Sequence, residues 1–278
     1  MEAQKPNTPQ KPVAKKKEPE HKVRGIKNAI WVIVCCAVVA VNAFIFVFGN
    51  DANFDPNTGH PINIMGTIFM GGFIVPILQT LFLTVIVLSV ERGIALSSAK
   101  GKGSIPKFVQ NVKAALAKGD IEGAQALCKK QRGSVANVVA NALIKYKEMD
   151  QNTILTKEQK LTSLQQAVEE ATAMEMPALQ QNLPIVATLT TLGTLVGLLG
   201  TVMGMIKSFS ALGAGGGSVD SMALSVGISE ALINTAFGIA TGAFAVISYN
   251  YYTNKIDHLT YAIDEIGFSI VQTFSATH

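Results

Sequence analysis

Four stretches of the chain are apolar for long enough to cross a bilayer, which takes about 20 consecutive apolar residues. They cover residues 29–48, 64–90, 183–212 and 222–252. The first follows a basic, proline-rich tail (1–27). It exceeds a signal-peptide core and lacks a small-x-small cleavage site, so it reads as a retained anchor. Pro76 interrupts the second, which spans tolerate when neighbours satisfy the freed carbonyl. Between the second and third spans, 91–182 has helical spacing. Phe108, Val109, Val112, Ala115 and Leu116 share a face after a Ser104/Pro106 opening, and Gly119 stops that helix. Residues 121–133 and 134–149 read as two short helices, the first closed by Gly133. A long helix from Lys157 is expected to kink near Pro177 or Pro184 on its way into span three. Residues 253–278 form a last helix. The prediction is an all-α polytopic membrane protein with connectors at 49–63 and 213–221, Asp220 or Ser221 capping the fourth span.

Composition agrees: of 278 residues, 49% are hydrophobic and 15% charged, too greasy for an ordinary soluble domain. Charge placement sets the orientation. Eight Lys and Arg precede the first span, thirteen lie between Arg92 and Lys160, and Lys255 follows the last span. The connectors 49–63 and 213–221 carry none, so the positive-inside rule puts both termini and 91–182 in the cytoplasm. The basic tail has no interleaved aromatics and reads as an orientation signal, with no nucleic acid as partner. Cys35, Cys36 and Cys128 make no disulfide or metal framework, and His21, His60, His258 and His278 are scattered. The loop 51–62 imitates a calcium loop, but Pro56 stands where Gly is needed and Ile62 where Glu is needed. Phosphate-loop, His-Glu-x-x-His and nucleophile-elbow motifs are absent, so neither an enzyme nor a cofactor is expected.

The candidate chemistry lies in the last two spans. Glu230 is the one ionisable side chain of 222–248, and a carboxyl in hydrocarbon costs about 2.5–3.5 kcal/mol on insertion scales. At 100° per residue, Glu230, Asn234, Thr241 and Ser248 fall within about 40° of one another, while Thr235 lies about 140° from Glu230. Such a stripe suits a helix lining a wet or proton-conducting lumen, which several copies of the chain would have to enclose. In span three, Gly193 with Gly197 and Gly200 with Gly204 are small-xxx-small pairs that permit close helix packing. Thr194, Thr201 and Ser208 recur at intervals of seven. Two plainer readings stay open: each hydroxyl bonds its own i−4 carbonyl, or Glu230 serves as a structural partner for Lys207.

The runs GLLGTVMGMIKSF (197–209) and GISEALINTAFGIATGAFAVISYN (227–250) resemble the MotA/TolQ/ExbB proton-channel family, most closely its ExbB branch, over roughly residues 64–275. The resemblance implies a homopentamer in the bacterial inner membrane, its central lumen holding a dimer of a smaller ExbD-type subunit whose aspartate carries the proton. A TonB-type transducer would pass the output to outer-membrane transporters. It implies a proton path including Glu230, Thr201 and Thr235, to which Thr194, Asn234 and Thr241 are added here from their positions, and it leaves membrane lipids as the remaining partner. Three departures stand out: the extra first span, Thr194 where relatives often have Pro, and Lys207 where they have a neutral polar residue. A TolQ-like envelope unit, a gliding or flagellar stator and a non-conducting structural oligomer remain rival readings.

Overall fold

The computed structural model describes residues 28–214 and 221–277, which are helical apart from short connectors. The basic tail and Asp220, a candidate cap, lie outside the described residues. Among the described residues, four helical stretches are long and apolar enough to cross a membrane. The first is α1 (Ala29–Asn42), continued by a π-helical turn over Ala43–Phe48. Asn53 receives the end of this turn: its side-chain amide donates to the carbonyls of Val47 at 2.7 Å and Phe48 at 3.1 Å. Asn63 in turn donates to Asn53 Oδ1 and caps α2 (Ile64–Phe69). The connector between the first two spans is thus fastened by asparagines.

The second span differs from the expectation at Pro76. Its break lies earlier, over Met70–Phe73, where Gly72 adopts φ +73°, a left-handed conformation that a side chain disfavours. The long helix α3 (Ile74–Lys100) starts after it, and Pro76 falls in its first turn, where a missing N–H costs nothing. The kink expected near Pro177 or Pro184 falls beside the second of them. Helix α7 (Lys157–Gln180), opened by a Thr156/Gln159 capping box, carries Pro177 inside it. The chain turns at Gln181 and Asn182, the latter at φ +64°. Helix α8 (Leu183–Ala214) then begins, with Pro184 second.

The insert also contains α4 (Ile105–Ala117), α5 (Ile121–Gln131) and α6 (Gly133–Gln151). Residues 222–252 and 253–278, expected as separate helices, are joined in α9 (Ser221–Thr277). Its 57 residues extend about 86 Å, against some 30 Å of hydrocarbon, so more than half of α9 lies beyond a single bilayer crossing. Ile256, Leu259, Ile263, Ile266, Ile270 and Phe274 recur every three or four residues on that distal part and are buried. They pack with Phe108, Val112 and Leu116 of α4, Val139 and Leu143 of α6, and Leu164 of α7. The last span and the insert therefore share one core. Cys128 lies in it, and burial pushes its thiol up to about 12.

A buried ion pair fixes where the insert meets the spans. Arg92 of α3 is fully buried and donates through Nε and Nη2 to both carboxylate oxygens of Glu91, at 2.7 and 2.5 Å. Its Nη1 reaches the carbonyls of Ala178 and Leu179 in the last turn of α7, at 3.3 and 3.4 Å, where a cation also complements the helix dipole. Asn182 donates to Glu91 from the turn itself. The span-two terminus thus clamps the α7–α8 joint.

Replacing Arg92 by Met strands the Glu91 carboxylate and should lower unfolding stability in detergent by about 3–5 kcal/mol. The double change Glu91→Gln with Arg92→Met should recover part of that loss, measured by thermal or denaturant unfolding. Cys128, held as a thiol, should resist a water-soluble maleimide at neutral pH and react only in denaturant, read by intact mass.

Candidate functional site between α8 and α9

Helices α8 and α9 run antiparallel in close contact because glycines remove the side chains that would separate them. A Cβ on Gly193 would lie 2.8 Å from the Thr241 methyl, and one on Gly197 would lie 2.8 Å from the Gly238 Cα. Gly200 accommodates Asn234, and Gly204 lies against the Gly227 carbonyl and the Ala231 amide, at 2.7 and 2.8 Å from a built Cβ. All four glycines singled out in span three thus face α9 of the same chain. Near the end of the seam, Ser208 donates to the carbonyls of Gly204 at 3.1 Å and Leu224 at 3.4 Å.

The six candidate path residues fall into two environments. Glu230, Asn234 and Thr241 are 3%, 0% and 0% exposed, so their stripe faces the chain's own bundle. The periodicity expected of a wet face is here the periodicity of a face shared among α8, α9 and the α2–α3 turn. Helical spacing alone does not separate the two, because both select one polar side of a helix. Thr241 donates to the Phe237 carbonyl at 2.8 Å. The side-chain amide of Asn234 donates to the carbonyl of Gly71 at 3.0 Å, while its Oδ1 is buried without a partner.

Thr201 and Thr235, by contrast, are half-buried and bring their hydroxyls into direct contact across the seam. Each also bonds its own i−4 carbonyl, Gly197 at 3.3 Å and Ala231 at 3.2 Å. Thr194 is exposed and bonds Thr190. The hydroxyls accordingly both satisfy their own helices and, at Thr201 and Thr235, form an inter-helix contact.

Glu230 meets Lys207. The ammonium donates to both carboxylate oxygens, at 2.7 and 2.8 Å, from a side chain 51% exposed, while the carboxylate side is 4% exposed. The third wall is Gly72: a Cβ there would lie 2.5 Å from Glu230 Oε1 and 3.4 Å from Lys207 Nζ. Sequence reasoning missed this glycine turn. Its signal was Gly71-Gly72 four residues before Pro76, a breaker pair inside an apolar run.

Residues 133–265 match the model of the MotA/TolQ/ExbB proton channel family. A putative biopolymer transport protein ExbB-like 3 of Synechocystis sp. is 35% identical over 99 residues, 34% of this chain and 47% of that protein. Biopolymer transport protein ExbB of Xanthomonas campestris pv. campestris (strain B100) is 38% identical over 88 residues, 31% of this chain and 34% of that protein. Tol-Pal system protein TolQ of Haemophilus influenzae is 33% identical over 91 residues, covering 33% and 40%. The chain thus aligns with less than half the length of each of these relatives.

The Thr201–Thr235 contact predicts that a Thr201→Cys, Thr235→Cys double variant forms a disulfide within one chain on mild oxidation. A gel-mobility shift without a dimer band, confirmed by mass, checks it.

Proposed function

We propose that this chain, which belongs to the MotA/TolQ/ExbB proton channel family, is the multi-copy scaffold of a proton-driven motor in the bacterial inner membrane. The observation that carries the reading is Glu230: an acid 3% exposed in a long apolar helix, five residues before a threonine that touches Thr201 of the facing helix. An ionisable residue within a membrane span is a functional-site candidate by default. In this reading five copies enclose a lumen. The exposed or half-buried hydroxyls of Thr194, Thr201 and Thr235 approach it, while Asn234 and Thr241 hold the helix that carries Glu230. A smaller ExbD-type subunit with a single span supplies the proton-carrying acid, since this chain has no second acid in its last two spans. Each charge crossing gains about 2.3 kcal/mol per 100 mV, enough to drive a repeated rearrangement.

In this reading both termini and the insert 91–182 lie on the cytoplasmic side, which the Lys and Arg distribution supports. The rigid continuation of α9 into the insert's core then carries movement at Glu230 into the cytoplasm. Output passes to a TonB-type transducer. A TolQ-like envelope role is the second reading, supported by similarity to proteins of both names. The small partner encoded beside this chain decides between them.

Glu230→Ala should reduce energised uptake to background while membrane insertion and chain abundance stay unchanged. Thr201→Val with Thr235→Val should reduce uptake partially. Transport assays with membrane-fraction blots check both, and full uptake by the Glu230 variant would remove that residue from the mechanism.

A further inference from the structure

We propose that Lys207 is a tethered counter-ion for Glu230, so that its ammonium and an incoming proton compete for one carboxylate. The pair is asymmetric in a way that a purely structural ion pair does not require. Glu230 is walled in by α8, by its own helix and by the turn at Gly72, and is 4% exposed on its side chain. Lys207 reaches it with both hydrogen bonds yet remains 51% exposed. The lysine can therefore leave along its flexible four-carbon stem without repacking the seam, whereas the carboxylate cannot leave at all.

The pocket is built rather than incidental. Gly72, at φ +73°, is the one residue type that fits both the turn and the closeness of the carboxylate. One turn deeper, Asn234 fastens that turn by donating to the Gly71 carbonyl at 3.0 Å. Charged groups facing Glu230 are few. Helix α8 supplies Lys207 and no other ionisable side chain over 183–214, and residues 64–90 contain none. On α9, Glu230 is alone until Tyr249.

The charge balance follows directly. Paired, carboxylate and ammonium sum to zero. When Glu230 accepts a proton, its two acceptor oxygens become one neutral acid, both charge-assisted bonds weaken, and one positive charge remains on Lys207. That charge must then face water or an acid brought by another chain. Loss of the proton draws the ammonium back. Lys207 thereby makes each protonation event also a movement of charge at the seam surface.

This inference rests on the reading of Glu230 as part of the proton path. It is tested on the full chain, reconstituted with its small partner in vesicles, by the pH profile of proton flux. Lys207→Met should change the pH profile of proton flux, and Lys207→Arg should restore it. Lys207→Gln, which keeps the stem polar, gives the same reading should the Met variant fail to insert. Infrared spectra of the purified chain supply a readout independent of flux. A carboxylic-acid C=O band missing from wild type at neutral pH should appear in Lys207→Met and vanish in Lys207→Met, Glu230→Gln. A profile superimposable on wild type, or no new acid band, overturns the counter-ion role. Should Glu230→Gln leave flux intact while the band behaves as expected, the proton-path reading fails and the counter-ion assignment stands.

Discussion

The close approach of α8 and α9 is the constraint on which the rest of the molecule depends. Gly193, Gly197, Gly200 and Gly204 on one helix and Gly227, Gly238 and Gly242 on the other leave so little room that a single added Cβ would fall within about 3 Å of the opposing backbone or side chain. In a bilayer, lipid tails are as apolar as the helices, so dispersion at short range must do what water-driven burial does elsewhere. Bringing the backbones together also places Thr201 against Thr235 and Lys207 against Glu230. The polar chemistry of the seam is a consequence of its glycines.

Two ion pairs, one buried and one half-exposed, stand at the two ends of the bundle. Glu91–Arg92 is closed on all sides and bonded to the α7 carbonyls and to Asn182, so its charges have nowhere to go. It acts as a joint. Glu230–Lys207 has one immobile and one half-exposed member, so its charge can be redistributed. Desolvation penalises both pairs, and only the second has a member exposed enough to move without repacking its surroundings. Because α9 runs unbroken from Glu230 into the insert core, the two ion pairs border one continuous helical framework.

Much of the architecture was legible in the chain. Long apolar runs and helical spacing are local signals, and they predict the four spans and the helices of the insert without knowledge of neighbours. The positions of the breaks were less legible. Pro76 drew an expected break to itself, but a proline in a first turn is silent, and the chain turned instead at Gly72, whose positive φ only a structure displays, while the turn at Asn182 falls beside Pro184, one of the two expected positions. The polar stripe of Glu230, Asn234 and Thr241 was found by spacing. Which neighbour it faces is a tertiary fact, since a lumen and a buried seam impose the same period. Lys207 was visible as a candidate partner, yet the difference in exposure between the two members was not.

Proton movement across vesicles that hold this chain together with the proposed ExbD-type subunit addresses the central claim most directly, with a dye trapped inside and a potassium diffusion potential applied. The account predicts acidification in vesicles containing both proteins, and none in those holding either protein alone or a Glu230→Gln chain with the partner. Equal flux through wild-type and Glu230→Gln complexes would contradict it.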